Sequence, residues 1–348
     1  GLSYPAGPVH LNVLLEEPLY EPLPEPKKVK VAREKNSEKQ DIKAEAGVGL
    51  RDFSTVENNT KILVLAGMGY YCENIIRNLE KLLKLGQLVV VAENIATLSA
   101  DDFISGPELV LSGLDEEGQK ELAPDLLLSF GGQVVSKRLK LFLQALPELK
   151  HMDIDSDVSA NLEELAEHLA GLRGASSSNH FQELWKQKEA GRAGLMAEKV
   201  RDLPYGHLYI TRALLSAAPS RSVIHLGSSS SVRYAQILPH RADLFYYANR
   251  GTSGIDGCVS AAVGAAMVSE DLHILLVGDL SFVYDSNALW NREFPENLKI
   301  VVLNDRGGGI FRLLKGPSEM DFFEDFSVAY HPVSPEKLAY SFQRKALR

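Results

Sequence analysis

The sequence predicts an α/β protein built on two parallel, helix-covered sheets, one after the other along the chain. Three observations carry that expectation. Short apolar runs of strand length recur, each separated from the next by a helical stretch. That is the pattern of buried parallel strands joined by crossover helices. The runs fall into two sets with a charged helical stretch between them, and in the second set every run ends in a polar or glycine-rich loop.

In chain order, residues 1–22 come first, where Val9 to Leu14 alternate polar and apolar like the end of a strand begun elsewhere. With no initiator Met, this sets the expectation that the chain starts inside a longer protein. Residues 23–58, rich in Pro, Lys, Glu and Asn, read as a linker, extended at EPLPEPKK and loosely ordered after it. A first domain is expected over 59–172. Its strands are KILVLAG (61–67), LVVVAEN (88–94), DLLLSFGG (125–132) and an edge strand at HMDIDSD (151–157), with helices ending near Leu85 and over KRLKLFLQAL (137–146). Residues 173–200 read as a helical connection, broken at ASSSN (175–179), and 201–348 as a second domain. Its strands are SVIHLG (222–227), LFYYAN (244–249), HILLVG (273–278) and KIVVLN (299–304), and a terminal amphipathic helix is expected in PEKLAYSFQRKALR. Open parallel sheets bind ligands beyond the carboxyl ends of their strands, so the four loops after these runs are expected to converge on one site.

The bulk properties exclude several classes. A length of 348 residues suits two ordinary domains, and 45% hydrophobic with 24% charged residues suits a globular protein. A net charge of −9 argues against non-specific nucleic-acid binding. Cys72 and Cys258 sit in no CxxC or Cys/His cluster, which points away from zinc or a disulfide framework and towards a reducing, cytoplasmic setting. No segment has the length and apolarity of a membrane span, and the start lacks a leader pattern.

Four motifs bear on chemistry. GMGYY (67–71) follows a strand, but the third glycine of a dinucleotide loop is missing and Glu93 is the only candidate ribose acid; a plain strand-to-helix turn is the reading. In GDLS (278–281), Asp279 ends a buried strand, where a carboxylate is costly unless it caps a helix or meets a cation. A helix is expected from Leu280 to Trp290, with phosphate-binding N–H groups at its start. KIVVLNDRGGGIF sets Asn304 and Asp305 at the tip of the next strand, so carboxylate, amide and backbone oxygens suited to Mg²⁺ come together. NRGTSGIDG (249–257) places Arg250 at a strand end, suited to bidentate capture of a carboxylate or phosphate, and GSSSSVR (227–233) adds hydroxyls and Arg233. SKR (136–138) opens a helix with two cations, against the macrodipole. His225 and His273 lie inside apolar strands and read as packing residues.

Gly-Asp followed by Asn on the next strand is similar to the thiamine diphosphate signature. GPVHLNV with EEPLY, then SFGGQVVSKR, NRGTSGIDG, GDLSFVYDSNAL and GGGIF, together resemble the MenD family, the 2-succinyl-5-enolpyruvyl-6-hydroxy-3-cyclohexene-1-carboxylate (SEPHCHC) synthases, from residue 7 to about 311. The resemblance implies Rossmann-like domains: the tail of a pyrimidine-binding domain (1–22), a central domain (59–172) and a diphosphate-binding domain (201–348). It implies thiamine diphosphate with Mg²⁺ or Mn²⁺, and a transferase of menaquinone biosynthesis. That enzyme decarboxylates 2-oxoglutarate and adds the succinyl carbanion to isochorismate in a 1,4-addition.

Residue by residue, the resemblance gives Arg233, Arg250, Lys137, Arg138, Ser229 and Phe311 to the substrates. It gives Gly278, Asp279, Leu280, Ser281, Ile255, Gly307 and Gly308 to the cofactor, and Asp279, Gly307 and either Asn304 or Asp305 to the metal. The activating glutamate of the family lies on the pyrimidine-binding domain and has no counterpart here. The chain alone is therefore expected to be inactive, within a protein expected to be a homodimer or tetramer. The alternatives are another thiamine diphosphate carboligase of acetolactate-synthase type, which usually carries GDG and lacks the GIDG loop, and a non-catalytic scaffold with a degenerate site.

Two departures stand out. The serine-rich loop lacks the family's more usual Asn and Pro, which leaves Ser228 and Ser231 without roles. The family also reads Asn-Asn before the glycines, with the second Asn on the metal; that position is Asp305 here, followed by Arg306. Two carboxylates and a diphosphate overload one Mg²⁺ with negative charge, each unit charge being worth about 4 kcal/mol at roughly 4 Å and an effective dielectric of about 20. Either Arg306 offsets the excess or Asn304 ligates after a one-residue shift. Mg²⁺ titration of Asp305→Asn and Arg306→Ala decides: compensation predicts a changed affinity in at least one, and unchanged affinity in both removes it.

Overall fold

The computed structural model describes residues 51–85, 88–172, 179–313, 319 and 321–347. The expected strand tail at 1–22 and the linker up to residue 50 lie outside them. Two four-stranded, all-parallel sheets form, as the apolar runs predict.

The first sheet has β1 (Ile62–Ala66), β2 (Leu88–Ala92), β3 (Leu126–Phe130) and β4 (Lys150–Asp153) in the order β2-β1-β3-β4. Its helices are α1 (Glu73–Leu83), α2 (Pro107–Val110), α3 (Glu116–Glu121), α4 (Lys137–Gln144), α5 (Val158–Leu172) and α6 (His180–Lys199). Alternate strand residues serve opposite faces. Ile62 and Val64 pack with Leu79 and Leu82 of α1 and Leu162 and Leu165 of α5, whereas Leu63 and Leu65 pack with Phe142 of α4 and Phe181 and Trp185 of α6. The charged helical stretch thus buries apolar stripes on both faces of the sheet, with Trp185 Nε1 donating to the Leu122 carbonyl at 3.3 Å. The described end of the expected linker is not loose, because Phe53 and Val56 are buried in the first core and the Arg51 amide donates to Asn161 Oδ1.

The second sheet has β5 (Val223–Leu226), β6 (Phe245–Ala248), β7 (His273–Gly278) and β8 (Leu298–Leu303) in the order β6-β5-β7-β8. With it go α7 (His207–Ala217), α8 (Ser230–Ile237), α9 (Cys258–Met267), α10 (Asp279–Tyr284) and α11 (Pro335–Ser341). The helix expected from Leu280 to Trp290 is instead α10 followed by a 3₁₀ turn, Ser286–Trp290. Asp285 lies at the break. Its buried carboxylate accepts from the Ser260 amide at 2.6 Å and from the Ser260 hydroxyl, satisfying the first turn of α9. The terminal helix is also shorter than expected: it stops at Ser341, and Arg344 turns back to donate to the carbonyls of Leu289 and Asn291. Gly309–Ala329 forms a unit of its own, in which Arg312 holds Glu324 through two contacts of 3.0 and 2.7 Å. No helix among the described residues is long and apolar enough to cross a membrane.

His225 and His273 sit on neighbouring strands and share a ring-to-ring hydrogen bond of 2.8 Å, with Tyr247 stacked on His225. They line a cavity of about 570 Å³. Burial first, then the neighbouring ring, pushes His225 down to about 4, and burial also lowers His273. A histidine depressed on folding stabilises the native state above its unfolded pKa and loses that contribution as pH falls through the folded one. Urea unfolding is therefore expected to show stability dropping between about pH 6.5 and pH 4, by on the order of 2 kcal/mol from His225. His225→Leu should flatten that slope, and an unchanged slope would show that the pair is not its source.

Candidate functional site

Each sheet has a crevice where its strand order reverses, between β1 and β3 and between β5 and β7. The first is closed. Gly67 N–H donates to the Phe130 carbonyl, Met68 N–H to the Gln133 carbonyl, and Gly69 N–H to the Ile95 carbonyl. A Cβ on Gly67 would come within 2.0 Å of the Gly132 carbonyl oxygen, so glycine is required for this approach. The amides a pyrophosphate would need are already engaged, and GMGYY is a packed strand-to-helix turn.

The second crevice gathers the expected loops. The parallel register of β7 and β8 sets Gly278 opposite Leu303, which brings the two following segments side by side. Asp279, 2% exposed, accepts from the Leu280 amide at Oδ1 (2.7 Å) and from the Gly307 amide at Oδ2 (3.0 Å). The intervening turn is tight: Asn304 Oδ1 accepts from the Arg306 amide at 3.1 Å, and Arg306 adopts φ +61°. Ser281 donates from its hydroxyl to the Ile255 carbonyl, tying the start of α10 to the loop after β6. Asn249 closes that loop by donating to the Asp256 carbonyl at 3.2 Å, and Gly257 takes φ +82° ahead of α9. After β5, Ser229 adopts φ +75°, a conformation costing a non-glycine residue about 1–3 kcal/mol. Its carbonyl accepts from Arg233 at 2.8 Å.

The cationic groups form the other side. Arg250 is 5% exposed and its Nε has no hydrogen-bond partner among the described residues. Burial, then the charge of Arg233, lowers its pKa, while Glu93 acts in the opposite direction. Burial likewise lowers Arg233, against Glu108. The first domain reaches this side through two loops. Gln133 donates to the Gly251 carbonyl (2.9 Å) and accepts from the Ser253 hydroxyl (3.0 Å). Glu93, 1% exposed, accepts from the amides of Val135 (2.5 Å) and Ser136 (2.7 Å), just ahead of Lys137 and Arg138. Arg138 pairs with Glu108 at 2.9 Å.

Of the residues singled out from sequence, Asp279, Leu280, Ser281, Ile255 and Gly307 are thus brought together, with Gly278 capping α10 beside them. Arg233 and Ser229 meet directly, and Arg250 lies within electrostatic reach of Arg233. Lys137 and Arg138 are exposed on the first turn of α4. Asn304 and Asp305 are exposed, the Asn304 amide oxygen being turned onto its own loop, and Gly308 is half-buried. Phe311 stands on the 3₁₀ turn Gly309–Leu313 of the separate unit, 40% exposed.

Sequence reasoning missed three residues. His331 brings Nε2 to 3.2 Å from Asp279 Oδ2, at an angle that makes no hydrogen bond, and its amide donates to the Arg306 carbonyl at 3.3 Å. Gln133 was visible only as part of a loop. Glu93 was weighed solely as a ribose ligand, and nothing local in the sequence points its carboxylate at Val135 and Ser136.

Among the described residues no group of three or more His, Cys, Asp or Glu side chains could hold a metal. What the two strand tips offer is a mixed oxygen set: the buried carboxylate of Asp279, a side-chain amide, a second carboxylate and glycine carbonyls. A carboxylate has about four lone-pair positions, so the two N–H contacts leave Asp279 able to bind further. The chemistry of this set fits a hard divalent cation that keeps phosphate and water as its other ligands.

No protein-family model matches the chain. Curated relatives do. The chain is 37% identical to the 2-succinyl-5-enolpyruvyl-6-hydroxy-3-cyclohexene-1-carboxylate synthase of Desulfotalea psychrophila over 346 residues, which are 95% of this chain and 62% of that protein. It is 32% identical to the synthase of the same name from Flavobacterium johnsoniae, over 97% of this chain and 63% of that protein. For that of Christiangramia forsetii the identity is 32%, over 93% and 59%. The chain spans about three fifths of the length of these relatives. Over nearly its whole length the chain is therefore similar to the family of 2-succinyl-5-enolpyruvyl-6-hydroxy-3-cyclohexene-1-carboxylate synthases.

Proposed function

We propose that this chain supplies the diphosphate-and-metal half, and the cationic substrate wall, of a thiamine diphosphate-dependent SEPHCHC synthase acting on 2-oxoglutarate and isochorismate in menaquinone biosynthesis. The observation that carries the reading is the buried Asp279 carboxylate, 3.0 Å from the Gly307 amide of the next strand tip. Asp279, the Gly307 carbonyl and either Asn304 or Asp305 would hold Mg²⁺ or Mn²⁺. Gly278, Leu280, Ser281 and Gly308 would line the diphosphate, and Ile255 the ring beside it. Residues 59–172 and 201–348 would be the central and diphosphate-binding domains. When bound, thiamine diphosphate supplies the electron sink for loss of carbon dioxide from a 2-oxo acid.

The chain's own part is binding and orientation. Both proposed substrates are dicarboxylates, and Arg250 is a guanidinium already withdrawn from water with one nitrogen unpaired. A carboxylate docked there would gain a charge-assisted hydrogen bond, typically about 1.5–3 kcal/mol. Arg233, held by the Ser229 carbonyl, would take a second carboxylate, with Lys137 and Arg138 at the rim. Ser229 would offer a hydroxyl. No glutamate among these residues is assigned the activating role, and we place it in the rest of a cytoplasmic homo-oligomer. A second reading, a scaffold with a degenerate site, draws on Asp305 and Arg306 and on His331 beside Asp279. An acetolactate-type carboligase draws on no residue here.

Two outcomes test the first reading. The purified 348-residue chain should give no SEPHCHC from 2-oxoglutarate and isochorismate, while the longer protein containing it does. Product from the chain alone, or none from the longer protein, overturns that division of labour. In the longer protein Asp279→Asn should weaken Mg²⁺-dependent cofactor binding by about 10–100-fold, measured by calorimetry. Wild-type affinity in that variant excludes Asp279 as a ligand and favours the scaffold.

A further inference from the structure

We propose that Glu93 is a positioning residue and the titratable counter-ion of the Arg250–Arg233 anion site, so that an anionic ligand enters together with a proton. The inference rests on reading those two arginines as anion-binding, but not on the cofactor or the reaction.

The loop after β2 clamps both segments that carry the cations. Glu93 accepts from the amides of Val135 and Ser136 at 2.5 and 2.7 Å, which fixes the start of α4 and with it Lys137 and Arg138. The next residue, Asn94, holds α8: its amide donates to Gln236 Oε1 at 3.1 Å and its Nδ2 to the Ala235 carbonyl at 3.0 Å. Arg233 stands on that helix. Two adjacent buried residues therefore set the spacing between cations from two domains.

The acid itself matters as well as its shape. Each of the two backbone N–H groups needs an acceptor oxygen, and a carboxyl group offers two whether ionised or protonated, whereas an amide offers one. Glu93 can therefore change charge without releasing the loop. The charged groups around it are Lys140 on α4 and Arg250 after β6; beyond them lie Arg233 on α8, His240 after that helix, and Glu108 on α2. Burial raises Glu93 to about 7, against the two amides, Lys140 and Arg250. Near neutrality both forms are populated. Ionised, Glu93 partly cancels Arg250; protonated, it leaves the guanidinium to an incoming anion. A bound anion in turn disfavours the ionised form, so ligand and proton bind together.

Calorimetric titration of the chain with sulfate, and separately with succinate, in buffers of different protonation enthalpy tests this. Sulfate takes up no proton itself near neutrality. The expected result is uptake of about half a proton per anion at pH 7, with affinity falling about tenfold per pH unit above that. In Glu93→Gln the uptake and the pH dependence should vanish, and in Glu93→Asp part of the uptake should return. Wild-type binding with no proton uptake overturns the counter-ion role even if the variants fail to fold, as does undiminished uptake in Glu93→Gln; either result leaves the anion site standing. Failure of both anions to bind the wild type removes the anion site, and the substrate wall proposed above with it.

Discussion

The site depends on the parallel pairing of β7 with β8. Because the two strands run in register to Gly278 and Leu303, the chain must turn at the same height on both, and the Asp279 carboxylate meets the Gly307 amide. A slip in that pairing would take the Gly307 donor from one oxygen of the buried carboxylate, at a cost of about 1–3 kcal/mol. The bond therefore locks the strand register and the site geometry at once. The Ser281 hydroxyl carries the constraint to the loop after β6, and through Asp285 and Ser260 it reaches α9.

The two domains share a topology and use it differently. In the first, backbone hydrogen bonds and a glycine with no room for a Cβ seal the crevice between β1 and β3. The loops at its rim are then free to serve the second sheet. Gln133 grips the loop that carries Arg250, and Glu93 and Asn94 hold the segments that carry Lys137, Arg138 and Arg233. The first domain thus works as a brace for the cationic wall, and its buried carboxyl gives that wall a charge that responds to pH.

Similarity to a synthase family does not by itself give this chain that family's activity. It aligns with about three fifths of its relatives' length, and the part proposed for its residues is to bind an anion and a hard cation. Asp305 sets a second carboxylate at the metal corner, with the opposite charge of Arg306 next to it in sequence, and His331 lies against the Asp279 carboxylate. Direct measurements on metal and anion binding therefore say more about this chain than turnover alone.

The strands, their parallel sense and the loops that matter were legible in the sequence, because apolar runs of strand length punctuated by Gly, Ser and Asp follow from local rules of burial and turn chemistry. The grouping of Asp279 with the Asn304–Gly307 turn was legible too, since consecutive parallel strands end at one edge. The break of α10 at Asp285 was not, because it depends on the Ser260 amide 25 residues away. Nor were the roles of Glu93, Gln133 and His331, whose partners lie from 42 to 120 positions distant in the cases of Glu93 and Gln133. Side-chain direction, and the burial that shifts a carboxyl towards neutrality, depend on which distant segments close over a residue, and only the tertiary structure decides that.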